Sequence, residues 1–211
     1  MPIASVAGAS VWSRKNALAF TNYVRGLAGV GPVVLDEANA SSAQACALLM
    51  HANDTLSHAP DASWACFDTK AADTAAVALL AREPVVGAIR QFLVDFGNES
   101  TLVHRRWLLN DAVPSLAFGS TDAFGCVRLG STVIDSTGWV AWPPPGDVPL
   151  QLLEVGGETV DAEGWSIQSD AIDLSGASVS VTVDGDVLPQ TVEPLVENQG
   201  SRWALRFVPD G

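Results

Sequence analysis

The hydrophobic period of this chain changes near residue 110, and that change limits what it can fold into. Before that point apolar residues recur at helical spacing. Ala17, Phe20, Val24 and Leu27 mark one helix over 13–29, with Ser13 as its N-cap and Gly29 or Gly31 as its end. "PVVLD" follows as a short extended connector, because proline and the β-branched pair disfavour helix. Asp36 then caps a second helix, "EANASSAQACALLMHAN", with Ala45, Leu48, Leu49 and Ala52 on one face. Residues 55–70 read as loop from their Pro, Asp and Ser content. "AADTAAVALLARE" predicts a third helix, and "PVVGAIRQFLVDFG" a fourth, with Pro84 in its first turn.

After residue 110 the pieces are short and extended. "SLAFGS", "FGCVRLGS" and "GWVAW" are β-like and split by glycine. "PPPG" at 143–146 stops regular structure and marks the expected domain boundary. Beyond it, Val179, Val181 and Val183 alternate and then meet Asp184-Gly185, a strong hairpin signal. Trp203, Leu205 and Phe207 alternate in the last segment. The predicted class is therefore α+β: a helix-rich domain over 12–142, then a small antiparallel, sandwich-like β unit over 148–211. That unit carries too much bulky apolar mass for a tail and too few residues for a large core, so it is expected to pack on the first domain.

Charge follows the same division. Residues 1–110 hold 8 Lys/Arg against 9 Asp/Glu, and residues 111–211 hold 3 against 15. A polyanion needs a basic face to release counterions, so the net charge of −13 argues against nucleic acid as a partner. The same acidity argues against docking on anionic lipid. No apolar run approaches the roughly 20 residues of a membrane span. The first residues, "MPIASVAGASVW", lack the basic and apolar regions of a signal peptide, although the chain could begin after a removed one. The three cysteines, Cys46, Cys66 and Cys126, show no CxxC spacing and fit one disulfide plus one free thiol, with three pairings open.

Two histidines stand out. His58 ends "NDTLSH", and His104 sits in "STLVHRRWLLN", followed by Arg105, Arg106 and Trp107. Neutral imidazole is a good zinc ligand. Arg105 has two readings. It binds an acidic ligand group, or it pairs with Asp95, Glu99 or the acidic tail. Trp107 and Leu108 are expected to anchor the core, and His51 to be an exposed helical residue. Nucleophilic catalysis is poorly supported: Ser57 adjoins His58 in the chain, Ser100 has no partner motif, Cys126 has only Arg128 as a basic neighbour, and no GxSxG elbow exists.

Taken in order, these pieces resemble the CAP superfamily, the SCP-like proteins of the cysteine-rich secretory, antigen 5 and pathogenesis-related groups. Asn22, Arg25, Leu35, Gln44, Asn53, Leu56, Ser57 and His58 match its opening pattern, and "LVHRRWLLN" its second histidine element. "SHAPDASWACF" and "WPPPGDVPLQ" look most like a bacterial secreted subgroup with a β extension. The family's Gly-Glu-Asn motif is absent. The resemblance implies an α-β-α sandwich with a central antiparallel sheet, and a cleft where His58 and His104 converge, with Asp95 on the helix before the second histidine and Arg105 nearby. It implies zinc at the two histidines as a cofactor in some members. The functional expectation is a secreted or cell-surface, non-catalytic binding module for a small amphipathic molecule, an envelope component or a protein. The alternatives are a metal-dependent hydrolase using His58, His104 and Asp95, and an adhesive protein whose acidic tail takes calcium. Because Cys46 lies on a helix and Cys66 in the loop returning after His58, Cys46–Cys66 is the expected disulfide, leaving Cys126 free.

Overall fold

A computed structural model describes residues 11–131 and 138–209. The N-terminal stretch read for a signal peptide lies, apart from its last two residues, outside the described residues. The chain is α+β and divides into two compact units. Unit 1 takes the described residues within 1–23, 32–89 and 113–133, and unit 2 those within 24–31, 90–112 and 134–211.

In unit 1, α1 (Val11–Leu27) contributes the residues up to Tyr23. Then follow β1 (Val34–Leu35), a 3-10 turn at Glu37–Asn39, α2 (Ala40–Ala52), α3 (Thr69–Ala75) and β2 (Ala78–Ala81). Asp36 caps the 3-10 turn, accepting from the Asn39 backbone N–H at 3.1 Å, so the expected cap is real but acts one short turn ahead of α2. The expected third helix is only half helical. Asp68 caps α3, and the chain then turns into β2, whose four residues are all buried. A short, wholly apolar run reads equally well as buried strand or buried helix, and tertiary pairing decides it.

α4 (Val85–Val94) starts after Pro84 as predicted and contributes its first half to unit 1, up to Ile89. It is followed by α5 (Val103–Leu108), which belongs to unit 2. β3 (Ser115–Ser120) and β4 (Gly125–Leu129) complete the sheet of unit 1, in the order β1-β3-β4-β2. β3–β4 and β2–β4 are antiparallel, but β1 pairs with β3 in parallel, so the sheet is mixed rather than antiparallel throughout. Both faces are buried. Cys126, Leu80 and Ala78 alternate with Val127 and Leu79 in the register, and all are core. α2 lies so close to β3 that a Cβ on Gly119 would run into the Ala43 carbonyl. That approach seats Cys46 over β4.

The disulfide is Cys46–Cys126, with Cα atoms 6.2 Å apart, and the exposed Cys66 is the free thiol. This corrects the expected Cys46–Cys66 bridge. Cys46 points from α2 into the sheet, toward a strand distant in sequence, and not toward the neighbouring loop.

Unit 2 is built on β5 (Val140–Trp142), β8 (Trp165–Ser169), β11 (Gln190–Pro194) and β12 (Trp203–Pro209). They form an antiparallel sheet in the order β11-β12-β8-β5. Two hairpins and a single helical turn accompany it: β6 (Glu154–Val155) with β7 (Glu158–Thr159), α6 (Val160–Glu163), and β9 (Val181–Val183) with β10 (Asp186–Leu188). Asp184 and Gly185 both take positive φ, 53° and 96°, as the predicted two-residue hairpin turn requires.

The proline run is not where contacts break. β5 precedes it, β8 follows it, and the two pair through Val140↔Gln168 and Trp142↔Ser166. Residues 90–112, expected in the first domain, belong to unit 2. The boundaries 12–142 and 148–211 therefore give way to two units that are each discontinuous in sequence.

The Cys46–Cys126 bridge closes 80 residues, and in the chain-entropy model it contributes about 4.5 kcal/mol. Replacing both cysteines by serine should lower the urea unfolding free energy by several kcal/mol. Cys66→Ser should change it by less than about 0.5 kcal/mol, the usual range for an exposed site. Peptide mapping should recover Cys66 alone as the alkylated thiol of the native protein.

Candidate functional site

His104 lies on α5, and its surroundings follow from the loop before it. α4 ends at Val94, and the next residue, Asp95, takes a left-handed φ of 61°. Aspartate tolerates that region better than most residues. The turn drives the Asp95 side chain inward, where it is fully buried. Gly97 and Leu102, with φ of 79° and 44°, bring the chain back into α5. The Asp95 carboxylate then meets the start of that helix.

Asp95 Oδ1 accepts from His104 Nδ1 at 2.7 Å and from Asn98 Nδ2 at 3.1 Å. Its Oδ2 accepts from the Arg105 backbone N–H at 3.1 Å, an otherwise unsatisfied donor of the first turn. A carboxylate only accepts, so His104 carries its proton on Nδ1 and presents Nε2 as a lone pair. The 3.4 Å approach of Asn98 Nδ2 to His104 Nδ1 sets two donors side by side, and Asn98 donates to Asp95 instead. Phe92 stacks on the imidazole, 4.9 Å between centroids and 29° between planes. The His104 side chain is 18% exposed. Among the described residues Nε2 has no hydrogen-bond partner.

Arg105 and Arg106 are both fully buried. Arg105 donates from Nε to the Leu93 carbonyl at 2.6 Å, and from Nη2 to the Val94 carbonyl at 2.8 Å. Its Nη1 donates to the Gly164 carbonyl at 2.7 Å and to Ser166 Oγ at 3.2 Å. Arg106 binds the Thr101, Val196 and Ser201 carbonyls and Ser201 Oγ. In the same unit Arg25 binds the Gly31, Leu108 and Asn110 carbonyls. Desolvation lowers each of the three guanidinium pKa values to about 10, still far enough above neutral pH to keep the charge. Arg105 is thus not a ligand-binding residue. Every nitrogen of its fork holds backbone or Ser166, and it has no exposed surface. It does not pair with a carboxylate side chain either, although Asp95 and Glu163 favour its charge from nearby.

His58 belongs to unit 1 and is exposed. Its Nδ1 lies 2.7 Å from the Ala75 carbonyl, which only accepts, so the proton again sits on Nδ1 and leaves Nε2 as acceptor. Ser57 Oγ accepts from the Ala59 N–H in a local turn, and Cys126 is oxidised in the disulfide. His51 is half-buried rather than freely exposed. Its Nδ1 approaches Thr121 Oγ1 at 3.0 Å and Asp122 Oδ1 at 3.3 Å, and its ring meets Phe124 edge-on. Unit 1 also carries an open groove of about 810 Å³ along Val34–Asn39 and Arg128–Ser131, which includes neither candidate histidine.

A zinc site does not fit the residues present. A metal ligand needs a lone pair aimed at the ion, and the Asp95 carboxylate is fully buried and turned onto three internal donors, His104, Asn98 and the Arg105 backbone. Among the described residues no group of three or more His, Cys, Asp and Glu side chains could hold a metal ion. No described helix is long and apolar enough to cross a membrane.

The residues matching the CAP pattern have definite local work. Asn22 brackets Val33, donating from Nδ2 to its carbonyl at 2.9 Å and accepting its N–H at 2.8 Å. Gln44 brackets Ser120, and Asn53 brackets Ala65, in the same two-point way. No family model matches the chain, and no curated protein or solved structure matches it either.

Sequence reasoning missed Asn98 as part of the site. The signal was its position three residues after Asp95, the spacing of a short side-chain turn.

Replacing Arg105 by methionine keeps most of its volume and removes every donor. The Leu93, Val94 and Gly164 carbonyls then lose a buried partner each. Unfolding free energy in urea should fall by about 3–5 kcal/mol, and Arg105→Lys should restore only part, since an ammonium cannot reproduce the fork.

Proposed function

We propose that the chain is an exported, CAP-like binding protein that holds a small amphipathic molecule at His104 without turning it over. The observation that carries this is the fixed tautomer of His104: a buried carboxylate takes Nδ1–H, and Nε2 is left as a rigid, partly exposed acceptor. A single oriented acceptor is what recognition of a hydroxyl or N–H head group uses. An apolar neighbour supplies the other half of such a ligand, because Phe96, directly after Asp95, is 45% exposed. The disulfide supports an oxidising compartment. The order of the matched motifs, and the backbone-clamping roles of Asn22, Gln44 and Asn53, support the CAP-like reading. This proposal rests on His104 and asks nothing of His58.

The same carboxylate–imidazole pair is also how a general base is oriented. What disfavours hydrolysis is the company it keeps. Ser57 and Cys126 are engaged elsewhere, and the Asp95 carboxylate is buried among three internal donors.

Both readings are tested with two probes on the same protein. Titration with dansyl-undecanoate should show saturable binding, and His104→Ala should raise Kd about tenfold, the equivalent of one hydrogen bond of ~1.4 kcal/mol. Its melting temperature should fall, since the buried Asp95 carboxylate loses the imidazole donor, so the two proteins are compared at a temperature where circular dichroism shows both folded. Neither protein should hydrolyse p-nitrophenyl butyrate above the buffer rate. Equal binding by the two proteins would remove His104 from recognition, and hydrolysis abolished by His104→Ala would make the protein an enzyme.

A further inference from the structure

We propose that the groove of unit 1 is a second binding site, for a short peptide with both ends free. Arg128 takes the peptide carboxylate and Glu37 its ammonium group. The inference goes beyond the reading of His104 and does not rest on it.

The groove follows from how the strands of unit 1 end. β1 starts at Val34, which pairs with Ser115 at the start of β3. β2 starts at Ala78, which pairs with Arg128 near the end of β4. Just past β4 the Gly130 N–H meets the Ser115 carbonyl at 2.9 Å, and a Cβ on Gly130 would run into Ser115 Oγ. Three strands therefore begin, and the fourth finishes, at one end of the sheet. The turn from Asp36 to Asn39 lines the opening there together with Val77 and Pro114. Its volume of about 810 Å³ lies within the roughly 300–1,000 Å³ of small-ligand sites, which is room for more than a single amino acid.

Two opposite charges line this groove without pairing. Arg128 shares a sheet face with Cys126, two residues earlier, and so lies on the side that α2 covers. Its cross-strand neighbours, Ala78 and Ala117, are too short to engage a guanidinium. Arg128 is half-buried, and no described residue accepts from it. A group left in that state costs free energy, and a carboxylate satisfies two of its N–H donors at once. On the acidic side, Asp36 is committed to Asn39, accepting from its N–H at 3.1 Å and its Nδ2 at 2.7 Å. Glu37 is exposed and has no cationic partner among the described residues. A ligand with a carboxylate alone brings its charge beside Asp36 and Glu37, and one with an amine alone brings it beside Arg128. A zwitterion suits both. The rest of the lining suits a peptide: Val34, Leu35, Pro114 and Leu129 offer apolar contact. Val34 and Asp36 give their N–H groups to β3, at 3.0 and 2.9 Å, so Leu35 turns its own N–H and C=O to the outer edge of β1. An extended peptide pairs with such an edge.

The test is isothermal titration calorimetry of the full chain with the tripeptide alanyl-leucyl-alanine in three forms: with free ends, N-acetylated, and C-amidated. The free tripeptide should bind saturably, and blocking either end should raise Kd about tenfold, the loss of one charge-assisted contact. Arg128→Gln should bind the free and amidated peptides alike and still discriminate against the acetylated one. Glu37→Gln should bind the free and acetylated peptides alike and still discriminate against the amidated one. Residue 37 is exposed, so Glu37→Gln keeps the fold and decides the matter even where Arg128→Gln does not fold. No saturable binding of the free tripeptide, equal binding of all three forms by the parent, or a Glu37→Gln protein that discriminates as the parent does would overturn the site. Dansyl-undecanoate does not enter this measurement, so either binding proposal can fail and leave the other standing.

Discussion

Three buried guanidinium groups assemble unit 2, and the candidate site exists because of where they are aimed. Arg25, Arg105 and Arg106 join backbone carbonyls that are far apart in sequence: Leu108 and Asn110 to α1, Gly164 to α5, Val196 and Ser201 to α5. Taking such a charge out of water costs several kcal/mol. Hydrogen bonds to a charged donor return about 1.5–3 kcal/mol each, and Arg105 makes four. Beyond any stability, what the arginines supply is geometry. An apolar core would tolerate sliding between α5, α6 and the sheet. A fork bonded to carbonyls on two sides does not.

His104 inherits that rigidity. It lies beside Arg105 on α5, and one carboxylate, Asp95, serves the imidazole, the Asn98 amide and the Arg105 backbone together. The site is therefore coupled to the fold through Asp95 and to the loop through Asn98. A histidine held only by solvent would exchange tautomers freely. This one keeps Nε2 facing the same way for as long as Asp95 stays buried, and that is the property from which the binding proposal derives.

Elements whose pattern is local were legible in the sequence. The Asp184-Gly185 hairpin, the alternation of Trp203, Leu205 and Phe207 in β12, the Asp36 cap and the start of α4 after Pro84 all depend on neighbours a few residues away. Features fixed by distant partners were not. β2 is an alanine-leucine run that becomes strand only because β4 lies beside it. Cys46 meets Cys126 because α2 is seated on Gly119, which has no side chain to hold it off. β5 crosses the proline run to pair with β8, since a proline run interrupts helix and sheet without preventing the chain from returning. In the site, His104 and Asp95 were singled out by the sequence, but as metal ligands together with His58 and not as the hydrogen-bonded pair they form. The burial of Arg105 was not, because "HRRW" reads as surface until the carbonyls that claim each fork are known.

The acidity of the C-terminal half takes on a different meaning once its carboxylates are placed. Fifteen acidic residues against three basic ones read as a surface made for a cation or an adhesive contact. Several of them have internal duties instead. Asp170 takes the Asn110 amide and the Arg202 backbone N–H, Asp161 takes the Trp165 indole, Glu193 takes Arg206, and Asp173 closes a turn on Ser175. Glu163 is buried altogether. Carboxylates accept more hydrogen bonds than any other side chain of their size, and a unit of short strands and loops has many backbone and side-chain donors to satisfy. Acidic composition here is largely a supply of acceptors.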